Sequence, residues 1–129
     1  MKRYMKIFNI SDDIVSAAQK NDLDTVRKLS KNYNLDFRDK NGKTALFYAV
    51  ENENIEMCKF LISKKVNLYM KDDRNLMAIH YAVMLKNNEI IKLFKENGFN
   101  ISIHIIEEEC KGISIKDERK LLNFIKKIF

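Results

Sequence analysis

The amino-acid sequence predicts an all-α solenoid of about three helix-pair repeats closed by a C-terminal capping helix pair. Three observations predict it: a string that returns after 33 residues, apolar positions spaced by three and four within each copy, and an Asp-Lys-Asn-Gly turn opening the central copy. TALFYA, Thr44 to Ala49, comes back as MAIHYA, Met77 to Ala82. Sliding residues 39–71 onto 72–104 without a gap leaves nine identical pairs, among them Asp39/Asp72, Ala45/Ala78, Tyr48/Tyr81, Ala49/Ala82 and Asn54/Asn87. Further pairs, such as Leu46/Ile79 and Leu61/Phe94, exchange one apolar residue for another.

The repeated string resembles the ankyrin repeat, whose period is 33 and whose signature is T-P-L-H-x-A. The chain departs from that signature at Ala45 and Ala78, where Pro is usual, at Phe47 in place of His, and at Met77 in place of Thr. The resemblance implies a β-turn followed by two antiparallel helices in each unit, with the units stacked side by side. It also implies that partners meet the turn tips and the concave face of the first helices.

In chain order, Ser11, Asp12 and Asp13 offer N-cap oxygens to a helix expected to begin near Ile14. The segment from Ile14 to Leu29 aligns with the later copies at an offset of 32, pairing Ala17 with Ala49 and Leu29 with Leu61. It is a first repeat, about 11–38, and its polar outer residues suit a terminal unit with one neighbour. The second repeat, 39–71, opens on Asn41-Gly42, a dipeptide that readily takes positive φ. Its helices are expected over about 44–52 and 55–63, with Ala49 and Ala82 marking close helix approach. The third repeat, 72–104, replaces DKNG by DDRN, and Gly98 marks the end of its second helix. Lys65 holds the place of Gly98 in the second repeat, at a cost of about 1 kcal/mol if it turns left-handed. A capping pair, 102–129, is expected as a helix over about 102–111, a stop at Gly112, a new N-cap at Ser114 and a last helix over 116–129. The whole of 1–129 reads as one domain.

With 46% hydrophobic and 33% charged residues the composition is that of a globular chain. No apolar run approaches the roughly 18 residues of a membrane helix, and the first ten residues lack a signal-peptide core, so a cytoplasmic location is expected. Cys58 and Cys110 match no C-x-x-C spacing and are expected as reduced thiols. The net charge of +6 sits at the ends: residues 1–10 carry +3 and residues 111–129 carry +4, so the repeat body sums to −1. That distribution makes nucleic acid an unlikely partner, with the basic termini its only route.

No nucleotide-binding, zinc-protease or hydrolase motif is present, and three glycines leave little for a phosphate-cradling loop. The sequence therefore predicts no enzyme, no cofactor, no metal, no small-molecule substrate and no membrane partner. His80 stands at the His of the signature, where the resemblance implies a structural hydrogen bond between neighbouring turns. His104, Glu107 and Glu108 share a helical face but read as a solvated charged surface.

Function is left to the surface. Carried over residue by residue, the resemblance gives Lys40, Asn41, Lys43, Tyr48, Glu51 and Asn52 in the second repeat as partner-binding positions. In the third it gives Asp73, Arg74, Leu76, Tyr81, Met84 and Leu85, and the first helix adds Ser16, Gln19 and Lys20. Where the second repeat has Lys43, Glu51 and Asn52, the third has Leu76, Met84 and Leu85, and an apolar patch beside Tyr48 and Tyr81 has the composition of an interaction hot spot. The expected activity is to hold a protein partner, the alternative being a small inhibitor or immunity-type or host-targeting protein that occludes an enzyme's active site. The molecule is expected as a monomer or weak homodimer, with the cap over Leu76, Met84 and Leu85 as a competing use of the patch.

Overall fold

The computed structural model describes residues 10–111 and 113, with side chains from Ile14 onward. Among the described residues seven helices run in order: α1 (Ile10–Gln19), α2 (Leu23–Ser30), α3 (Ala45–Glu51), α4 (Ile55–Ser63), α5 (Ala78–Met84), α6 (Asn88–Glu96) and α7 (Ile103–Lys111). The described residues contain no strand, only an isolated antiparallel bridge between Lys71 and Met77.

Each helix pair folds back on itself, α1 on α2, α3 on α4 and α5 on α6, and the pairs stack with α1, α3, α5 and α7 as an inner row. The outer row includes contact between α4 and α6. Stacking explains why α3 is buried along its whole length while α2 buries only Val26: α3 has a neighbour on both sides and α2 belongs to the terminal unit. Ala49 and Ala82 are fully buried at the inner row, as small side chains at a close helix approach should be.

The backbone repeats as faithfully as the side chains. Positive φ recurs at equivalent places: Gly42 (76°) and Asn75 (65°) in the turns, Glu53 (55°) and Lys86 (57°) between the helices of a pair, Lys65 (62°) and Gly98 (94°) after the outer helices. Asn75 thus takes over from glycine in the third turn, because a short amide side chain tolerates the left-handed region. The outer helices share one start device, Asp22, Asn54 and Asn87 accepting from the backbone N–H three residues on at 3.1, 3.0 and 3.0 Å.

One expectation is corrected. Helix α1 starts at Ile10, so Ser11, Asp12 and Asp13 lie inside its first turn rather than ahead of it. Helix α7 does not repeat the parallel register of the inner row: Glu109 and Cys110 in its last turn meet His80 in the first turn of α5. The expected stop at Gly112, the cap at Ser114, the last helix over 116–129 and the basic lead over 1–9 lie outside the described residues.

Candidate partner-binding surface

The two matched aspartates organise the turns. Asp39 accepts from the backbone N–H of Asn41 and of Lys43, both at 2.9 Å, and from the Tyr48 hydroxyl. Asp72 repeats the set with Arg74 and Leu76 N–H at 2.9 and 3.0 Å and the Tyr81 hydroxyl. Each aspartate therefore closes its own turn and ties it to the inner helix nine residues on. Burial, reinforced by the carboxylate, holds both phenols well above their ordinary range, so both remain donors.

This arrangement corrects the expected surface. Tyr48 is 5% and Tyr81 0% exposed, so neither offers its ring to a partner. They are not stacked on each other: Lys43 Nζ lies between them, 5.6 Å from the Tyr48 ring and 4.9 Å from that of Tyr81, while Phe47 meets Tyr81 edge-on at 6.0 Å. Lys43 folds inward to pair with Glu51 at 2.6 Å, their side chains 17% and 1% exposed. Burial raises the Glu51 carboxyl above its ordinary value and Lys43 pulls against it, while Glu51 Oε2 is buried without a hydrogen-bond partner. Leu76 is buried too. Asn52 is engaged in stacking, its Nδ2 donating to the carbonyls of Ala18 and Gln19 at 3.3 and 3.1 Å.

Other expected residues keep outward surface. Lys40, Asn41, Asp73 and Arg74 are exposed at the turn tips, and Met84 and Leu85 are half-buried at the end of α5. The tips of the two turns are joined, Asp73 N donating to Asn41 O at 2.9 Å and Arg38 Nη2 to Lys71 O at 2.6 Å. Ser16, Gln19 and Lys40 come together around a concave groove of about 400 Å³, with Val15 and Asp39 completing its walls. Sequence reasoning missed Arg38 and Lys71, although both are cations one period apart.

His80 is structural in a way that differs from the implied one. Its Nδ1 accepts from Met77 N–H at 2.9 Å within its own turn, which leaves the ring proton on Nε2, facing Glu109 Oε1 at 3.3 Å. Its reach is to α7 and not to the next turn. On α7 Glu108 is engaged by Lys111 at 2.9 Å, a hydrogen bond that lowers the Glu108 carboxyl, and among the described residues no group of three potential metal ligands forms. Burial pushes the Cys58 thiol up to about 12, and Cys58 and Cys110 are both buried. Among the described residues no helix is long and apolar enough to cross a membrane.

Helix pairs stacked in register and presenting joined turn tips define a class of repeat proteins whose members mediate protein–protein interaction. The chain belongs to the ankyrin-repeat family: the family model for ankyrin repeats, in 3 copies, matches residues 14–105. No curated protein matches the sequence. Among solved structures it is similar to a chain in the complex of the predatory endopeptidase Bd0816 from Bdellovibrio bacteriovorus with immunity protein Bd3460. That match has 31% identity, a TM-score of 0.64, and covers 70% of this chain and 48% of the other. It is also similar in fold to the ankyrin repeat protein EF0377, at 23% identity and TM-score 0.65, covering 73% of this chain and 48% of the other. The protein thus spans about half the length of each chain it resembles.

Proposed function

We propose that this chain, read as a single domain, is a non-enzymatic cytoplasmic module that holds a protein partner against its turn tips and the adjoining concave groove. The observation that carries this reading is the division of labour among the turn residues. Asp39, Asp72, Tyr48, Tyr81, Lys43 and Glu51 are spent on one another, whereas Lys40, Asn41, Asp73 and Arg74 stand exposed on two joined tips. Family membership supports the same reading. A photo-crosslinking residue at position 40, with another at exposed Glu56 on the outer helix as control, tests it in cells of the native source. A protein adduct formed at 40 and not at 56 is expected; adducts at 56 alone would place the interface on the outer face.

A second reading is favoured by one comparison, the similarity to a chain in an endopeptidase–immunity protein complex. In that reading the captured partner is an enzyme whose active site the tips occlude. Titrating the captured partner's activity separates the two: loss at one equivalent supports an inhibitor, and unaltered activity supports a scaffold.

A further inference from the structure

Resting on the module reading, we propose that the partner segment seated on the turn tips is acidic, a loop or tail rich in Asp and Glu. The repeat body sums to −1, so the sequence gives no hint of this. The fold separates the signs. Asp39 and Asp72 turn their oxygens onto turn amides and tyrosines, so both carboxylates are engaged within their own turns, Asp72 buried and Asp39 half-buried at the wall of the groove. The cations of the same turns, Arg38, Lys40, Lys71 and Arg74, remain exposed, with Asp73 the one exposed acid among them.

The two tips form one surface rather than two, because Arg38 Nη2 donates to Lys71 O at 2.6 Å and Asp73 N to Asn41 O at 2.9 Å. Lys40 and Lys71 make no ion pair among the described residues, so their charge is available to an incoming carboxylate. The groove between Gln19 and Lys40 continues this surface onto the concave face. Acids exposed elsewhere, such as Glu107 and Glu108 on α7, lie on the helix at the far end of the inner row. A positive edge of this kind steers an acidic segment and sets its register more than it adds raw affinity.

An acidic peptide suits the edge better than a nucleic-acid strand. Asp73 interrupts the cations where a phosphate track would need them unbroken. Of the exposed aromatics beside these cations, Tyr69 already stacks on Phe99 at 5.1 Å and bonds Asn100 through its hydroxyl, which leaves the single ring of Phe37, next to Arg38 in sequence, where a run of bases would need several.

The test uses the full chain and three fluorescent probes: a peptide of alternating Glu and Ser, its Gln and Ser counterpart, and a DNA single strand of similar charge. The Glu peptide is expected to bind, the Gln peptide not, with affinity falling about tenfold or more as salt screens the contact. Lys40→Glu with Lys71→Glu should weaken binding about tenfold, and the Lys40→Gln, Lys71→Gln pair by less, while a Lys2, Lys6, Lys126, Lys127 to Gln variant should bind as before. Loss in that terminal variant alone, or DNA binding more tightly than the peptide with the same dependence on Lys40 and Lys71, overturns the proposal. If the Glu peptide fails to bind while position 40 still crosslinks a protein, the acidic assignment falls and the module reading stands.

Discussion

Tyr81 is the residue on which the turn of the third repeat closes, and its hydroxyl is the natural place to measure that. Tyr81→Phe removes a buried donor to a carboxylate and should cost about 2 kcal/mol in urea unfolding. Tyr48→Phe should cost less, because its bond to Asp39 is only part-buried. Glu51 gives a second residue-scale expectation. Its folded pKa is raised above the ordinary 4.5 by burial, so the folded state takes the proton more readily than the unfolded chain. Stability from this group is therefore greatest below 4.5 and is lost as pH rises through the raised folded value. Glu51→Gln should flatten the stability profile above 4.5 and lie within about 1 kcal/mol of the parent at neutral pH. Removing the other partner should be harsher: Lys43→Ala leaves a buried carboxylate alone and should cost about 3 kcal/mol at neutral pH, the loss shrinking on acidification. None of this was legible beforehand. Periodicity marks Tyr48 and Tyr81 as equivalent but does not say that Asp39 and Asp72, nine residues earlier, draw their hydroxyls inward.

At the scale of the elements, the glycines and their substitutes report how the units are spaced. A methyl group on Gly98, φ 94°, would meet nothing within 4 Å, so Gly98→Ala carries only the backbone cost of about 1 kcal/mol. The same methyl on Gly42, φ 76°, would lie 2.7 Å from Asp73 Oδ1 and 3.0 Å from Asp73 N, pushing adjacent turns apart. Gly42→Ala should therefore cost about 2 kcal/mol or more, and thermal unfolding of the two variants tests the order. Lys65→Gly, at φ 62°, should instead raise stability by up to about 1 kcal/mol. The helices themselves were legible: α4 spans Ile55–Ser63 and α7 Ile103–Lys111, close to what apolar spacing and Gly112 indicate. The seating of the last turn of α7 on the first turn of α5 was not, since helical periodicity fixes which face is buried but not where along its neighbour a helix sits.

Over the whole molecule, burial grades from the middle of the row outward, and opening should follow the same gradient. Amide exchange should be slowest in α3, buried throughout, and faster in α2, where only Val26 is buried; equal protection in both would contradict a nearest-neighbour stack. Fold class was readable at this scale because one period of 33 links every layer of the argument. Exposure over the candidate surface was only half readable. Lys40, Asn41, Asp73 and Arg74 are exposed at the positions the pattern gives them, while Tyr48, Glu51, Leu76 and Tyr81 occupy positions that face a partner in the pattern yet are buried here.

The cross-links between layers have a consequence for the length of the molecule. Asn54 Nδ2 reaches Asn21 Oδ1 at 3.2 Å, Asn87 Nδ2 reaches Glu53 Oε1 at 3.0 Å, and Arg38 reaches Lys71 O, each spanning about one period. A copy of 39–71 spliced in directly after Lys71 would bring its own Glu53 and Asn54 to the same stations. The row can therefore be lengthened one storey at a time, every added floor arriving with its brackets already cut to fit.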